Sequence, residues 1–267
     1  MKINSFLSDE EVKISKNFSS NGYVIKSINN YSSYEWINKK ILLISKNILK
    51  EKKISENFLD NAHKYISIKK LNNFRVRLFN DLNKLNDFKF HYYNLSKEFL
   101  NLIVGNELAM QKRINLSIQL PNDASSLLPV HSDVWSGDSP YEVVVWLPFV
   151  DCFKTKSMFI LPPKKNEKFN KKFYKFNGAS SEKIFKEIKS DIKWLTVNKG
   201  EILIFNQSLP HGNRVNKEKT TRWSMNCRFK SLYSPYGDKK IGEFFIPITT
   251  KVASTIGMNY SKPNISK

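Results

Sequence analysis

The strongest constraint on the fold is the regular alternation of polar and apolar residues in TTRWSMNCRFKS, at positions 220–231. Successive residues of a β-strand point to opposite faces, so this segment predicts a strand with two different faces. The apolar face carries Trp223, Met225, Cys227 and Phe229. The polar face carries Arg222, Ser224, Asn226 and Arg228. Because an unpaired guanidinium inside a protein is costly, the polar face must meet partners.

Two further segments have strand character. In INLSIQL, at positions 114–120, the polar row is Asn115, Ser117 and Gln119. We predict that Asn115 or Gln119 binds a small molecule in a cavity; the alternative is a solvent-exposed face. The run VVVWLPFV, at 143–150, predicts a strand buried on both sides. Trp146 and Glu142 share one face of this strand, which makes Trp146 a candidate for the cavity wall and Glu142 a weaker candidate.

The first part of the chain has helical patterns instead. Ser8 and Glu11 have the spacing of a capping box, which predicts a helix from there to about Phe18. Segment 22–28 predicts a strand, and apolar spacing predicts helices over 33–49, 55–66, 69–86 and 90–104. Without a linker or an internal repeat, residues 1–267 are predicted to form one domain.

A histidine and aspartate pair, followed by a distant histidine, suggests a metal site. His131 and Asp133 can point to one side if their segment is extended, and His211 would come from another strand. Two imidazoles and one carboxylate form the ligand set that holds Fe(II) while leaving positions open for oxygen chemistry. The His-x-Asp pair alone is a weak motif, so its context decides the interpretation.

Arg222 and Ser224 follow this histidine on the polar face. An arginine fork matches a carboxylate in two places, and a hydroxyl two residues on can add a hydrogen bond, so a dicarboxylate co-substrate would fit. The alternative for Arg222 is a salt bridge to a protein carboxylate at a sheet edge. Arg228 lies roughly 20 Å farther along an extended strand, too far to share that carboxylate. It could bind substrate near the rim or pair with a protein acid.

Together these residues resemble those of the Fe(II)/2-oxoglutarate-dependent dioxygenases of the phytanoyl-CoA hydroxylase-like superfamily. The segments HSDVWSGDSPYEVVVWLPFVDCFKTKSMFILP, KGEILIFNQSLPHGN and KSLYSPYGDKKIGEFFIPIT are similar to the 2-oxoglutarate and Fe(II) oxygenases of sporadic bacterial carbohydrate clusters. The resemblance runs over most of the chain, from FLSDEE to the tail.

The resemblance implies a mainly β fold: a double-stranded β-helix, or cupin-like jelly-roll barrel, with helices packed outside. It divides the chain into a largely helical support region at 1–106, a jelly-roll core at 107–232 and a C-terminal segment near the barrel mouth at 233–267. The implied iron ligands and catalytic residues are His131, Asp133 and His211. Arg222 and Ser224 would bind 2-oxoglutarate, with Asn115 and Gln119 as further candidates. The carboxylate of Asp133 favours hydroxylation or a similar oxidation of a C–H bond, because related halogenases lack it.

Four residues are candidates for substrate binding. Trp135, in the turn-rich stretch after Asp133, could stack on a sugar, or it could pin the loop to the core. Trp146 could form part of the cavity wall. Lys156 could meet a phosphate or carboxylate, although lysines on a hairpin turn are most often solvated. Arg228 is the fourth candidate.

The formal net charge of +20 could indicate nucleic-acid binding. The lysines are scattered, however, and no nucleic-acid-binding module is recognisable, so we expect no specific nucleic-acid partner. A positive field would favour an anionic small molecule. The expected partners are molecular oxygen and an anionic or nucleotide-linked sugar.

The composition also bears on location. No segment approaches the ~18 apolar residues of a membrane span, and the N-terminus lacks the apolar run of a signal peptide. We therefore expect a cytoplasmic protein in which Cys152 and Cys227 are buried thiols.

Two other functions compete with the enzyme. A cupin-like protein could bind metal without 2-oxoglutarate chemistry, and Arg222→Ala would then leave its activity intact. A basic binding protein would retain nucleic acid in a salt-sensitive way and hold no iron.

Overall fold

The computed structural model describes residues 6–51 and 53–263. Within these ranges the helices are α1 (Asp9–Asn21), α2 (Tyr31–Leu49), α3 (Phe58–Asn61), α4 (Ile68–Asn83), α5 (Phe88–Asn94), α6 (Lys97–Ile103), α7 (Pro163–Asn170), α8 (Ser181–Ile188) and α9 (Val252–Met258). The strands are β1 (Tyr23–Ser27), β2 (Leu108–Gln111), β3 (Asn115–Gln119), β4 (Glu142–Pro148), β5 (Phe159–Ile160), β6 (Lys193–Trp194), β7 (Glu201–Asn206), β8 (His211–Gly212), β9 (Arg222–Ser231) and β10 (Phe245–Thr249). Short 3-10 helices span Ala62–Lys64, Asp133–Ser136, Lys154–Lys156 and Phe173–Phe176.

Helix α1 begins with the predicted capping box. The Ser8 hydroxyl accepts a hydrogen bond from the Glu11 amide at 3.2 Å, and the Glu11 carboxylate accepts one from the Ser8 amide at 2.8 Å. The helix continues to Asn21, three residues past the predicted end, because Gly22 terminates it in the left-handed conformation with φ 79°.

The main sheet is antiparallel, in the order β1-β7-β4-β9-β2-β10. Strand β9 pairs with β4 along one edge. Along its other edge, its first half pairs with β3 and its last residues pair with β2. Asn115 lies opposite Asn226, Ser117 opposite Ser224 and Gln119 opposite Arg222. This register brings the two predicted polar rows side by side.

The apolar face of β9 forms part of the core. Trp223 is fully buried, and its ring lies 6.0 Å from that of Phe58 in α3 and 6.1 Å from that of Phe74 in α4. The N-terminal helices therefore pack against the outer side of the main sheet and leave the polar face of β9 directed to the other side.

A smaller antiparallel sheet has the order β6-β5-β8. His131 extends it through an isolated bridge to His211. Among the described residues the hydrogen-bonded strands form these two sheets without closing into a barrel. In the same residues no helix is long and apolar enough to cross a membrane. Cys152 and Cys227 are buried free thiols, as predicted.

Some element boundaries differ from the prediction. Only the residues of α3 and the following 3-10 turn are helical within 55–66. The single helix predicted over 90–104 is instead two helices, since this range contains most of α5 and all of α6. The chain turns at Leu95, which is buried, and Ser96 closes the turn through its hydroxyl.

Candidate metal centre

Three side chains with metal-binding atoms meet at one point. The candidate ligand atoms of His131, Asp133 and His211 all lie within 4.8 Å of one another. Nε2 of His131 is 3.3 Å from Oδ1 of Asp133, and the two imidazole rings are 4.3 Å apart. One divalent ion could therefore contact all three.

Backbone hydrogen bonds bring these residues together. The His131 amide donates to the His211 carbonyl at 3.0 Å, and the His211 amide donates back at 2.8 Å. The Asp133 amide donates to the Gln207 carbonyl at 3.1 Å. Asp133 begins a 3-10 helix rather than continuing a strand, but Ser132 before it is extended. The sequence predicted an extended segment from His131 to Asp133. Only Ser132, the residue between them, has this conformation.

Both imidazoles have one nitrogen already occupied. Nδ1 of His131 lies 2.8 Å from the Pro129 carbonyl, and Nδ1 of His211 lies 2.8 Å from the Leu209 carbonyl. A carbonyl can only accept, so each Nδ1 carries a proton and Nε2 is the nitrogen that each ring can offer to a metal ion. Metal-binding histidines are oriented by this kind of second contact, so the cluster fits a metal ion.

The protonation states also suit a cation. Burial lowers the pKa of His211 to about 4, and the neighbouring His131 acts in the same direction. Burial by itself would raise the pKa of Asp133, but the hydrogen bond with His131 and the nearby His211 and Arg228 hold that pKa well below its usual range. At neutral pH the site therefore has a neutral imidazole at His211 and a carboxylate at Asp133.

Arg222 is buried without a carboxylate partner among the described residues. Its Nη2 donates to the Ser117 hydroxyl at 2.8 Å, while Nε has no hydrogen-bond partner. The buried Ser224 hydroxyl has none either. Burial lowers the pKa of Arg222 to about 10, a value at which the group is still charged at neutral pH. The salt bridge considered as the alternative for Arg222 is thus not formed here, and the unpaired donors suit an anion.

One cavity of about 220 Å³ connects the histidine cluster with this arginine. All four residues of the polar face of β9 line it. A second cavity, of about 430 Å³, lies beside helix α4 and shares Asn115, Ser117, Leu128 and Asn226 with the first. We call the first the inner cavity and the second the outer cavity; the four shared residues form a wall between them.

Comparison with solved structures finds chains of similar fold. The nickel complex of the non-heme monooxygenase ThoJ is 12% identical, with a TM-score of 0.57 over 90% of this chain and 85% of that chain. EctD from S. alaskensis, determined with 2-oxoglutarate and 5-hydroxyectoine, is 11% identical, with a TM-score of 0.54 over 88% of this chain and 80% of its own. HygX from Streptomyces hygroscopicus, with nickel and 2-oxoglutarate bound, is 11% identical, with a TM-score of 0.51 over 88% of this chain and 90% of its own.

The fold is similar to that of the 2-oxoglutarate oxygenases. No protein-family model matches the sequence, and no curated protein matches it.

Within this oxygenase-like fold, three of the other predicted binding residues line the inner cavity: Asn115, Trp146 and Arg228. Asn115 donates to the Asn226 side chain at 2.9 Å. Arg228 lies 3.1 Å from Asp133, so it forms the protein ion pair considered as one of its two alternatives.

The structure does not bring Gln119, Trp135 and Lys156 to the inner cavity. Gln119 donates instead to the Arg214 carbonyl. Trp135 stacks on Phe173 at 4.8 Å, which is closer to the alternative of a loop anchor.

The position of Lys156 also differs from both alternatives considered for it. It is buried rather than solvated, and its ammonium lies 2.9 Å from Asp60 and 2.6 Å from the Thr220 hydroxyl. Its charge is therefore already neutralised within the protein.

Sequence reasoning did not single out Ser117 and Asn226, although both were recognised as members of the polar rows. Ser117 holds Arg222, and Asn226 pairs with Asn115 in the shared wall of the two cavities. The alternation contained their signal, but the register that makes them neighbours comes from pairing across 105 and 111 positions of sequence.

Proposed function

We propose that the protein is an Fe(II)- and 2-oxoglutarate-dependent oxygenase that oxidises, and by our inference hydroxylates, a C–H bond of a small molecule. The observation that supports this most strongly is the combination within one cavity of a His-Asp-His cluster and a buried arginine without a carboxylate partner among the described residues. A metal-binding protein without a dicarboxylate partner would have no use for that unpaired guanidinium, whose burial is costly.

In this proposal His131, Asp133 and His211 hold the ferrous ion. The ion would supply the redox chemistry that activates molecular oxygen at the expense of 2-oxoglutarate. The part of the protein is orientation: carbonyls fix the tautomers of both histidines, and the backbone bridge between them fixes their separation.

Arg222 would bind the distal carboxylate of 2-oxoglutarate. Its Nε and the Ser224 hydroxyl are both unpaired, so together they offer donors to one anionic group. A carboxylate that accepts from a guanidinium and a hydroxyl forms charge-assisted bonds, and it would neutralise Arg222 in the buried site. Asn115 lines the same cavity and can contact the rest of the acid.

We place the target molecule in the outer cavity. The inner cavity, at about 220 Å³, is smaller than the ~300–1,000 Å³ typical of sites for drug-sized ligands, whereas the outer one is within that range. Arg75 in α4 lines the outer cavity, donates to Asn72 and has no carboxylate partner among the described residues. It suits an anionic group, such as the phosphates of a nucleotide-linked sugar.

We therefore assign Arg75 to the substrate in the outer cavity, and Trp146 to the part of the substrate that reaches into the inner cavity. Trp135, Lys156 and Arg228 are no longer assigned to it, because their contacts are with other protein groups. We further propose that the strands of 107–232 form a jelly-roll core, to which β1 from the helical region 1–106 and β10 from the segment 233–267 are added at the edges of the main sheet. A cytoplasmic role in the biosynthesis of bacterial surface carbohydrates is consistent with such a substrate.

Anaerobic titration with Fe(II) and 2-oxoglutarate tests the class of enzyme. Wild-type protein should develop the weak visible charge-transfer band and, with oxygen, release succinate. His131→Ala and Asp133→Ala should lose both signals. Arg222→Gln should need much more 2-oxoglutarate for the band at unchanged iron affinity, whereas the surface variant Arg214→Gln should behave as wild type. Succinate release that survives Asp133→Ala would contradict the ligand assignment.

A second experiment tests the substrate site. Inorganic pyrophosphate should inhibit turnover, and Arg75→Gln should weaken that inhibition at least about tenfold, since one hydrogen bond to a charged group contributes about 1.5–3 kcal/mol. Arg77→Gln is the matched control, because Arg77 is exposed on the same helix and lines neither cavity. Equal effects of the two substitutions would contradict a site at Arg75.

A further inference from the structure

Arg228 and His131 contact different oxygens of the same carboxylate. Nη2 of Arg228 lies 3.1 Å from Oδ2 of Asp133, while Nε2 of His131 lies 3.3 Å from Oδ1. Oδ1 is therefore the oxygen that faces the histidine cluster. Oδ2 is directed towards a permanent cation on strand β9.

The guanidinium is itself held in place. Its Nε donates to the Gln207 side chain at 3.0 Å, and the Gln207 amide nitrogen donates to the Ser139 carbonyl at 3.0 Å and to Glu142 at 2.9 Å. The backbone carbonyl of Gln207 accepts from the Asp133 amide. Gln207 thus contacts both members of the ion pair. It is buried and hydrogen-bonded through both atoms of its side-chain amide, so it fixes the position of Arg228 relative to Asp133.

The surrounding charges make Arg228 difficult to replace. It lies 3.7 Å from Asp138 and 4.0 Å from Glu142, in addition to Asp133. Lys239 pairs with Asp138 at 2.7 Å. Among these contacts of the described residues, Arg228 alone is paired with the oxygen of Asp133 that points away from the histidines.

We propose that Arg228 is a positioning residue that restricts Asp133 to one metal-binding oxygen. The inference rests on the proposed function. With one atom from each of three side chains, an octahedral ion keeps half of its positions for other ligands. A carboxylate that chelated through both oxygens would remove one of these positions, and the keto acid and oxygen would have to compete for the rest. Arg228 prevents this by occupying Oδ2.

The expected effects of Arg228→Met separate this role from a merely structural one. Loss of a positive charge beside the site should leave the affinity for Co(II) equal to wild type or higher. The affinity of the Co(II)-loaded protein for 2-oxoglutarate should fall at least tenfold, because the freed oxygen competes for the ion. General damage to the site would lower both affinities together.

Infrared spectra give a readout that does not depend on activity. The gap between the two carboxylate stretches is larger for one-oxygen than for two-oxygen binding to a metal, so it should shrink in Ni(II)-loaded Arg228→Met before any 2-oxoglutarate is added. Arg228→Lys keeps the charge and should restore part of both the gap and the 2-oxoglutarate affinity. If Arg228→Met folds poorly, the infrared gap and the 2-oxoglutarate affinity can still be compared between Arg228→Lys and the wild type.

Lys239→Met is the matched control, because Lys239 belongs to the same charge network but pairs with Asp138. It should keep the wild-type spectrum and 2-oxoglutarate affinity. The inference is overturned if Arg228→Met keeps the wild-type gap, or if it loses metal and 2-oxoglutarate affinity together. Failure of the proposed function is a different result, in which metal-loaded wild-type protein does not bind 2-oxoglutarate at all.

Discussion

Arg222 shows how function and stability oppose each other at a single residue. Its guanidinium is buried, its Nε is unpaired, and no carboxylate of the described residues neutralises it. Taking a charge out of water without a partner is strongly unfavourable, so the unliganded protein is less stable than it would be with an apolar residue there.

Arg222→Met should therefore stabilise the unliganded protein while abolishing 2-oxoglutarate binding. Replacement of buried charge by apolar side chains of similar volume can stabilise by about 1–4 kcal/mol. Urea unfolding without ligand would measure the gain, and calorimetry with metal and 2-oxoglutarate would measure the loss. Arg214→Met, at an exposed pair with Glu182, should change stability by about 1 kcal/mol or less. If Arg222→Met were less stable than the wild type without ligand, the Arg222 guanidinium would not be an unpaired buried charge.

His211 should make the metal-free protein sensitive to mild acid. Burial lowers the pKa of His211 from 6.5 to about 4, so the unfolded chain binds this proton more readily than the folded protein between those pH values. The stability contribution is complete above pH 6.5 and is lost as the pH falls towards 4. This shift corresponds to about 3 kcal/mol.

Unfolding of metal-free protein at a series of pH values would measure this loss. His211→Gln lacks the titrating ring, so its stability should vary much less within the same window. Parallel pH curves for the two proteins would show that His211 does not titrate as its burial implies.

At the residue scale, the sequence predicted a role best for side chains whose chemistry limits what they can bind. The order of the histidines, Asp133 and Arg222, together with the family resemblance, predicted these residues as a site, and the structure brings all four to one cavity. The environment of Lys156 could not be predicted, because its partner Asp60 is 96 positions away in a different element. Trp135 likewise meets Phe173 only because the loop folds back over a helix.

At the scale of elements, alternation in β9 predicted both of its faces, and the structure confirms them. All four apolar residues are almost completely buried, and all four polar residues line the cavity. Local sequence predicted the faces because the strand period is a property of the chain itself. The pairing of β3 with the first half of β9 could not be predicted, since register depends on residues that are distant in sequence.

Strand β8 is packed closely enough that its glycine is required. A Cβ at Gly212 would lie 2.8 Å from the Leu128 carbonyl oxygen and 3.0 Å from that of Pro129, and neither backbone atom can turn aside. Because these residues precede His131, a side chain at Gly212 would push apart the segments that carry the two histidines.

Gly212→Ala should thus lower stability by about 1–3 kcal/mol, as overpacking typically does, and weaken metal binding. Thermal unfolding and metal titration would measure the two effects. Gly257→Ala is the control: no described atom lies within 4 Å of the point that a Cβ would occupy there in helix α9, so it should be neutral or slightly stabilising. A wild-type metal affinity in Gly212→Ala would show that the segments can move apart without consequence.

At the scale of the whole molecule, the net charge of +20 bears on kinetics rather than on fold. A positive field attracts a dianion such as 2-oxoglutarate from a distance, and salt screens it over about 8 Å at physiological ionic strength. Binding inside the cavity depends on short contacts that salt screens far less.

The association rate of 2-oxoglutarate should consequently fall as salt is raised, while its dissociation rate changes little. Stopped-flow mixing with the metal-loaded protein, followed by the charge-transfer band, would measure both rates. A nucleic-acid-binding protein would instead show salt-sensitive retention of DNA or RNA without iron. An association rate independent of salt would mean that the charge has no steering role.

The two-way backbone bridge between His131 and His211 has a consequence for what the purified protein will contain. In zinc fingers the ion itself organises the polypeptide, whereas here main-chain pairing already sets the imidazole spacing. Such a pocket has little means of rejecting an ion of similar size, and nickel and copper bind nitrogen and oxygen donors more tightly than ferrous iron does. Heterologously produced material is therefore expected to arrive mismetallated, with its occupancy reflecting the growth medium, and to recover after chelation and anaerobic reloading.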